Sequence, residues 1–391
     1  NILDSGDTNK SLNAAMKLGI ECNEKESFLE IKGKGLYGLK DPEKELFFGN
    51  SGTSMRLFMG ILCAQKFPSI LTGDSSLSSR PMERVADPLR KMGAYIEMEN
   101  NHAPIQIYPT DKLLGIRDKL RVPSAQVKSA ILLASLYAKS NTVLSLNSVT
   151  RNHTELMLEY LGCQISHNNQ EISIEHGELK GIDILRIPGD FSSASFLILA
   201  SLIAKDSKIT IKNVGLNPTR IGFLKILKMM GASITTSIKK NNDFEIQGNI
   251  KVKSSQLYGI DVPKNLISLS IDELPLVCLA AACAKGTTTI RNATELRFKE
   301  SDRITAMATL LSQLSIDVKE FNDGLTINGG VMSGGEIDSF GDHRIAMTAL
   351  IASACSKADI LVHNTENIDT SFPNFVETMN QLGMDIIDPE S

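Results

Sequence analysis

Tryptophan is absent from these 391 residues, and aromatic side chains make up only 5% of them. Proteins that hold single-stranded nucleic acid stack its bases on such rings, so no surface of that kind is expected. The charge agrees: 41 basic against 45 acidic residues leave a net charge of −4, with no Lys/Arg-rich block, and no nucleic-acid partner is expected. No run of about 18 apolar residues occurs, so no membrane span is expected. The six cysteines, Cys22, Cys63, Cys163, Cys278, Cys283 and Cys355, form no C-x-x-C pair. Most lie in apolar helical contexts, as small buried hydrophobes do, which fits a reducing, cytoplasmic setting. The phosphate-binding G-x-x-x-x-G-K-[ST] loop is missing, and no His/Cys/Asp/Glu cluster has the spacing of metal ligands, so neither a Walker-type nucleotide site nor a metal site is expected. What remains is a globular composition, 42% hydrophobic and 22% charged, long enough for two cores.

One phrase recurs six times: an apolar helix closes in a small residue and runs into a strand. The closing residues are Gly19, Gly93, Gly162, Gly231, Ser315 and Gly383, at intervals of 74, 69, 69, 84 and 68. A second phrase precedes it, in which a small, polar loop opens another apolar helix that hands over to a β-rich strand. Examples are SAQVKSAILLASLYAKSNTVLSLNS and GDHRIAMTALIASACSKADILVHNT. These strands end at Gly73, Asn147, Asn213, Asn292 and Asn364, and Asn1 occupies the matching place in the first repeat. The opening helix and loop of that repeat are therefore expected upstream of residue 1. Fixed-period self-similarity of this kind defines an architecture of stacked units. Each unit of roughly 70 residues reads as β-α-β-α-β-β. Six units divide into three plus three at Pro188-Gly189, a backbone breakpoint. The expectation is an α/β protein with domains 1–187 and 188–391 facing each other across a cleft, the first repeat incomplete.

The chemistry is expected at the helix starts, where unpaired N–H groups and the helix dipole favour anions. Cations accompany these loops. Arg56 follows Asn50-Ser51-Gly52, Lys128 follows Ser124-Ala125-Gln126, and Arg344 follows Asp342-His343. Arg80, Arg151, Arg220, Arg297, Lys299 and Arg303 lie in other loops. A lone cation beside a helix is usually solvated or in a surface ion pair, but recurrence at equivalent repeat positions points to a strongly positive cavity. Its ligands would carry several negative charges, phosphates and carboxylates, suited to bidentate capture by arginine. Two carboxylates stand out. Asp272, ahead of the helix ELPLVCLAAACA, can be an N-cap or a base. Glu300, within FKESDR, can be a helical ion-pair partner or an acid. His343 can be a structural hydrogen-bonder or an active-site donor.

These segments together, GNSGTSMR (49–56), SSRPM (78–82), SAQVKS (124–129), RNHTE (151–155), NPTR (217–220), FKESDR (298–303), GDHR (341–344) and TSFPNF (370–375), resemble the 5-enolpyruvylshikimate-3-phosphate synthase family over essentially the whole chain. SAQVK, RNHTE and NPTR are similar to its second class, often poorly inhibited by glyphosate. The resemblance implies two domains of three inside-out units each. It also implies a transferase of the shikimate pathway, serving chorismate and aromatic amino-acid biosynthesis, that works as a cytoplasmic monomer without a cofactor. The implied reaction transfers the enolpyruvyl group of phosphoenolpyruvate to the 5-hydroxyl of shikimate 3-phosphate, through a tetrahedral ketal, and releases phosphate. By the same carry-over Ser124, Ala125, Gln126, Arg151, Asp272 and Lys299 hold shikimate 3-phosphate. Asn50, Gly52, Arg80, Gln126, Lys128, Arg303 and Arg344 hold phosphoenolpyruvate. Asp272, Glu300 and His343 are the implied catalytic groups, with the order of proton transfers between the two carboxylates open.

The sequence departs from the family in one important respect. The G-D-K-S-type loop that supplies a phosphoenolpyruvate-binding lysine does not occur, so this chain is expected to be impaired in turnover. Thr370 stands where many relatives carry a further lysine. Gly52 is the residue that leaves room for glyphosate in first-class relatives, and it leaves tolerance open. Two rivals remain at this stage. One is the sister transferase acting on UDP-N-acetylglucosamine, whose catalytic cysteine is missing from GDSSLSSRP. The other is a non-catalytic, decayed paralogue that binds anions.

Overall fold

The computed structural model describes residues 2–26, 28–168, 170–239 and 244–388. Asn1, expected to match the strand ends of the other repeats, lies outside the described residues. The chain forms two compact units, Asn1–Ile187 and Pro188–Ser391, each with its own hydrophobic core.

The first unit begins with α1 (Gly6–Lys17) and the hairpin β1 (Glu21–Glu24) and β2 (Leu29–Lys32). The second repeat follows as β3 (Leu46–Phe47), α2 (Gly52–Leu62), β4 (Ser69–Thr72), α3 (Ser75–Ser78), α4 (Glu83–Lys91), β5 (Tyr95–Glu99) and β6 (His102–Tyr108). The third is β7 (Arg117–Lys119), α5 (Ala125–Ser135), β8 (Thr142–Ser145), α6 (His153–Tyr160), β9 (Ile165–His167) and β10 (Glu171–Ile174). Their sheets are wired alike, β3-β4-β6-β5 and β7-β8-β10-β9, with the first pair parallel and the others antiparallel. A parallel pair needs a crossover, and α2 and α5 supply it.

The second unit opens with α7 (Phe191–Ile203), β11 (Lys208–Gly215), α8 (Gly222–Met229), β12 (Ser233–Lys239) and β13 (Gln247–Lys253). Next come α9 (Lys264–Ile267), α10 (Leu274–Ala282), β14 (Thr287–Ile290), a 3₁₀ turn (Thr294–Phe298), α11 (Arg303–Gln313), β15 (Asp317–Phe321) and β16 (Gly324–Asn328). The last repeat is β17 (Gly335–Asp338), α12 (His343–Ala352), β18 (Ile360–His363) and α13 (Phe375–Gln381). The expected six-element pattern is trimmed here. In β11-β13-β12 and β14-β16-β15 the leading strand is reduced to parallel bridges, Gly189 to Val214, and Tyr258 to Lys285 and Asp261 to Thr289. Pro188 and Pro263, which lack an N–H, stand beside these bridges and cannot extend a ladder. Among the described residues no strand pair follows α13.

The six closing residues share one geometry. Gly19, Gly93, Gly162, Gly231 and Gly383 have φ between 84 and 102°, and Ser315 has φ 65°. Their N–H groups bond back to residues such as Met16 and Ser312, while the next N–H bonds to the carbonyl one residue earlier, as Ile20 does to Ala15 and Ile316 to Leu311. This is the Schellman ending, in which a left-handed residue satisfies the last carbonyls of a helix. Glycine fills that position at no steric cost. The opening helices are sheathed by the rest of their unit. All nine residues of α10 are buried, so its sequence is apolar all round rather than striped.

Candidate active site

In the first unit, Ser51 and Ser124 cap α2 and α5, the Ser124 hydroxyl accepting from Val127 N at 3.4 Å. The two helices approach closely because Gly60 lies under Ala130, where an added Cβ would stand 2.1 Å from the carbonyl oxygen. Their N-terminal turns are tied together. Arg56 Nη1 donates to Gln126 Oε1 at 2.5 Å, and Gln126 Nε2 donates to Thr53 Oγ1 at 2.7 Å. Arg80 donates to Asn50 and, at 3.4 Å, to Ser76. Gly52 sits between the two guanidiniums, since a Cβ there would be 3.2 Å from both Arg56 Nη1 and Arg80 Nη1. Asn50, Gly52, Arg80 and Gln126 are thus brought together, beside Ser124 and Ala125 at the start of α5.

Lys128 is placed differently from the sequence expectation of a phosphoenolpyruvate contact. On α5 it points inward, 1% exposed, where Nζ pairs with Glu155 Oε1 at 2.6 Å and donates to the Arg151 carbonyl at 2.7 Å. Burial lowers its pKa and outweighs the opposing pull of Glu155. Its ammonium is therefore spent on the RNHTE loop, and its work is to hold Arg151.

In the second unit, α10 starts at Leu274 with Glu273 at the cap position, so Asp272 is not the N-cap. Asp272 Oδ1 instead meets Lys299 Nζ at 3.2 Å and lies 4.0 Å from Arg303 Nη1. Glu300 does pair with Arg303, Oε2 to Nη2 at 2.5 Å, but from ahead of α11 rather than on it. Arg303, 1% exposed, is also gripped by Asp342, with Nε to Oδ2 at 2.8 Å and Nη2 to Oδ1 at 3.2 Å. Burial opposes the charge on Arg303, yet Asp342 and Glu300 more than offset it and its pKa is raised. Asp342 is held below the usual carboxylate range, because Arg303 outweighs the penalty of burial. Arg344 Nη1 donates to the Asp272 carbonyl at 3.2 Å and Nη2 to Ser192 Oγ at 3.3 Å. His343 is pressed down to about 4, first by burial and then by Arg344, so its imidazole is neutral at physiological pH.

Two expectations are corrected here. Arg220 is not presented to a ligand: its guanidinium forks onto Glu273, a carboxylate with no exposure. Arg297 engages Asp302 at 2.6 Å and Glu320 at 3.0 Å. In this unit Arg220, Lys299, Arg303 and Arg344 are matched by Asp272, Glu273, Glu300 and Asp342. The cluster is a balanced network of charges rather than a strongly positive surface, because buried cations require partners. Among the described residues no three His, Cys, Asp or Glu side chains gather as metal ligands would.

Such a network of arginines, lysine and paired carboxylates at helix starts suits a reaction that moves protons beside anionic groups. The family model for EPSP synthase (3-phosphoshikimate 1-carboxyvinyltransferase) matches residues 1–379. This chain belongs to the EPSP synthase family. Among its relatives, the 3-phosphoshikimate 1-carboxyvinyltransferase of Ruthia magnifica subsp. Calyptogena magnifica is 47% identical over 386 residues, 98% of this chain and 89% of the relative. That of Legionella pneumophila (strain Lens) is 46% identical, again covering 98% and 89%. A solved EPSP synthase from Acinetobacter baumannii superposes with a TM-score of 0.86 at 42% identity, covering 98% of this chain and 88% of that one. The α/β, two-domain architecture expected from the repeats, and the enolpyruvyl transferase fold implied by the resemblance, are thereby borne out.

Sequence reasoning passed over Glu155, Ser192 and Glu273. Their common signal is a polar side chain set in an apolar helix environment, which is costly unless a partner is waiting. Glu273, directly before Leu274-Pro275, carried that signal most plainly.

Proposed function

We propose that this chain carries the activity of its family: transfer of the enolpyruvyl group of phosphoenolpyruvate to the 5-hydroxyl of shikimate 3-phosphate, with release of phosphate. It is an enzyme of chorismate and aromatic amino-acid biosynthesis acting on small molecules. The observation that carries the reading of the site is Asp272, held by Lys299 at 3.2 Å and by Arg303 at 4.0 Å, with Glu300 on the same arginine.

In this reading Ser124, Ala125, Gln126 and Arg151 of the first unit hold shikimate 3-phosphate. The Ser124 hydroxyl and the start of α5 take its phosphate, as helix N-termini do. Asn50, Gly52 and Arg80 serve phosphoenolpyruvate. In the second unit Lys299 steadies Asp272 and the sugar-derived acid, while Arg303 and Arg344 bind phosphoenolpyruvate through its charged oxygens. Asp272 accepts the proton of the 5-hydroxyl as that oxygen bonds to the central carbon of the enol. Glu300 delivers a proton to the methylene carbon, which becomes a methyl group. The resulting tetrahedral ketal still bears the phosphate. Return of a methyl proton to Glu300, cleavage of the carbon–oxygen bond to phosphate and passage of the proton held by Asp272 to the departing phosphate restore the double bond, free the product and reset both carboxylates. Neutral His343 donates an N–H to the departing phosphate oxygen without adding charge. Fixed donors and cations aimed at developing charge supply most of the acceleration in such sites.

Six free cysteines support a reducing, cytoplasmic setting, and the chain acts as a monomer in this reading, which light scattering on the purified protein tests. The activity itself is tested by following phosphate release from phosphoenolpyruvate with and without shikimate 3-phosphate. Release that depends on both substrates is expected, at a reduced rate since the G-D-K-S-type loop does not occur in this chain; release indifferent to shikimate 3-phosphate overturns the proposal.

A further inference from the structure

Glu273 is a neighbour of Asp272 in sequence, but its carboxylate works elsewhere. It has no solvent exposure and serves as a hub. Oε1 accepts from Arg220 Nη2 at 2.7 Å and from Ser192 Oγ at 2.8 Å, and Oε2 pairs with Arg220 Nη1. Arg344 Nη1 lies 3.7 Å from the same Oε1. Arg344 therefore has three anchors: Glu273, the Asp272 carbonyl at 3.2 Å and Ser192 Oγ at 3.3 Å. Two of them depend on Glu273. A serine hydroxyl has one proton, and by donating it to Oε1 Ser192 turns its lone pairs toward Arg344 and Arg220. Arg220 has a raised pKa, Glu273 outweighing the cost of burial, and its fork engages both Glu273 oxygens. The two arginines are about equally exposed, 10% for the Arg220 side chain and 13% for Arg344; what separates them is that Arg220 places both Nη atoms on Glu273.

We propose that Glu273, with Ser192 as its relay, is a positioning residue that fixes the Arg344 guanidinium for an incoming carboxylate or phosphate, and that Arg220 serves to hold Glu273 in place. The arrangement separates two tasks among arginines of one cluster. Arg220 spends both Nη groups on Glu273 and Ser192, while Arg344 meets its anchors at 3.2 to 3.7 Å and is the more loosely held of the two. This rests on the reading of Arg344 as a phosphoenolpyruvate ligand given above.

The experiment compares Glu273→Gln and Ser192→Ala with the wild-type chain in the phosphate-release assay, varying each substrate, with urea unfolding alongside. Glu273→Gln keeps the shape and removes the charge. It is expected to raise KM for phosphoenolpyruvate about tenfold or more, the weight of a lost charged hydrogen bond, while KM for shikimate 3-phosphate changes far less. Ser192→Ala is the gentler variant and guards against a folding failure of the first. It is expected to raise KM for phosphoenolpyruvate several-fold with an unchanged unfolding midpoint. Unchanged KM for phosphoenolpyruvate in a folded variant overturns the inference. So does an equal rise in both KM values together with lost stability, which is the mark of a merely structural ion pair. A wild-type chain without phosphate release would instead indict the reading of the site, and the inference would fall with it.

Discussion

The ammonium of Lys128 lies 2.6 Å from Glu155 Oε1, with the two side chains only 1% and 2% exposed. The pair joins α5 to α6 beneath the RNHTE loop, because the same ammonium donates to the Arg151 carbonyl at 2.7 Å. Removing one member leaves the other charge buried and unmatched, which costs about 3–5 kcal/mol in comparable pairs. Lys128→Met is expected to lower stability by that order, and Lys128→Met with Glu155→Leu to recover much of it. Urea denaturation of both variants measures the difference. A single variant as stable as wild type would show that the pair holds nothing.

Gly60 makes a sharper claim about packing. A methyl group there would stand 2.1 Å from the Ala130 carbonyl oxygen, which is backbone and cannot swing aside. Gly60→Ala must push α2 from α5, an overpacking typically worth about 1–3 kcal/mol and occasionally more. The same shift would spread the helix starts that Arg56 and Gln126 tie together. The expected outcome is lower stability together with weaker substrate affinity. A stable variant with unchanged KM values would refute the link between this crossing and the site.

How much of this was legible in the chain follows from the range of each interaction. The repeat count, the six helix endings and the cations at helix starts are local patterns, and Gly19 or Arg344 can be recognised from its immediate neighbours. The carboxylates that consume those cations are not local. Glu273 meets Arg220 53 residues away, and Asp342 meets Arg303 39 residues away. In sequence Asp342 reads as an ordinary cap, which it also is, since it accepts from Arg344 N. No spacing rule on a single helix predicts such pairs; they follow from helix starts of different repeats being brought together. This is why the sequence suggested a positive cavity where the second unit has a balanced network.

Asp272 separates chemistry from binding. Its carboxylate touches Lys299, and its backbone carbonyl, not its side chain, anchors Arg344. Asp272→Asn preserves the backbone contact and removes the base. General-base catalysis contributes about 10²–10⁴ in rate, so kcat is expected to fall by that range with KM for phosphoenolpyruvate nearly unchanged. Steady-state kinetics at saturating shikimate 3-phosphate measures it. A variant with near-normal kcat would remove Asp272 from the proton transfer.

His343 gives the site a signature in pH. Burial, followed by the charge of Arg344, lowers its pKa from 6.5 to about 4, against the smaller opposing pulls of Asp342 and Glu300. The folded state therefore binds this proton more weakly than the unfolded state. The contribution of neutral His343 to stability is complete above about pH 6.5 and is lost progressively as the pH falls toward about 4. Within that window unfolding takes up as much as one extra proton, a slope of at most ~1.4 kcal/mol per pH unit. His343→Gln removes the titration and keeps a hydrogen-bonding side chain. Urea unfolding at pH 7, 6, 5 and 4.5 should show stability of the wild type falling more steeply than that of the variant. The two curves should run parallel only above the window. Parallel curves throughout would mean that the fold does not depress the pKa of this imidazole, and the permanently uncharged donor assigned to the departing phosphate would lose its basis.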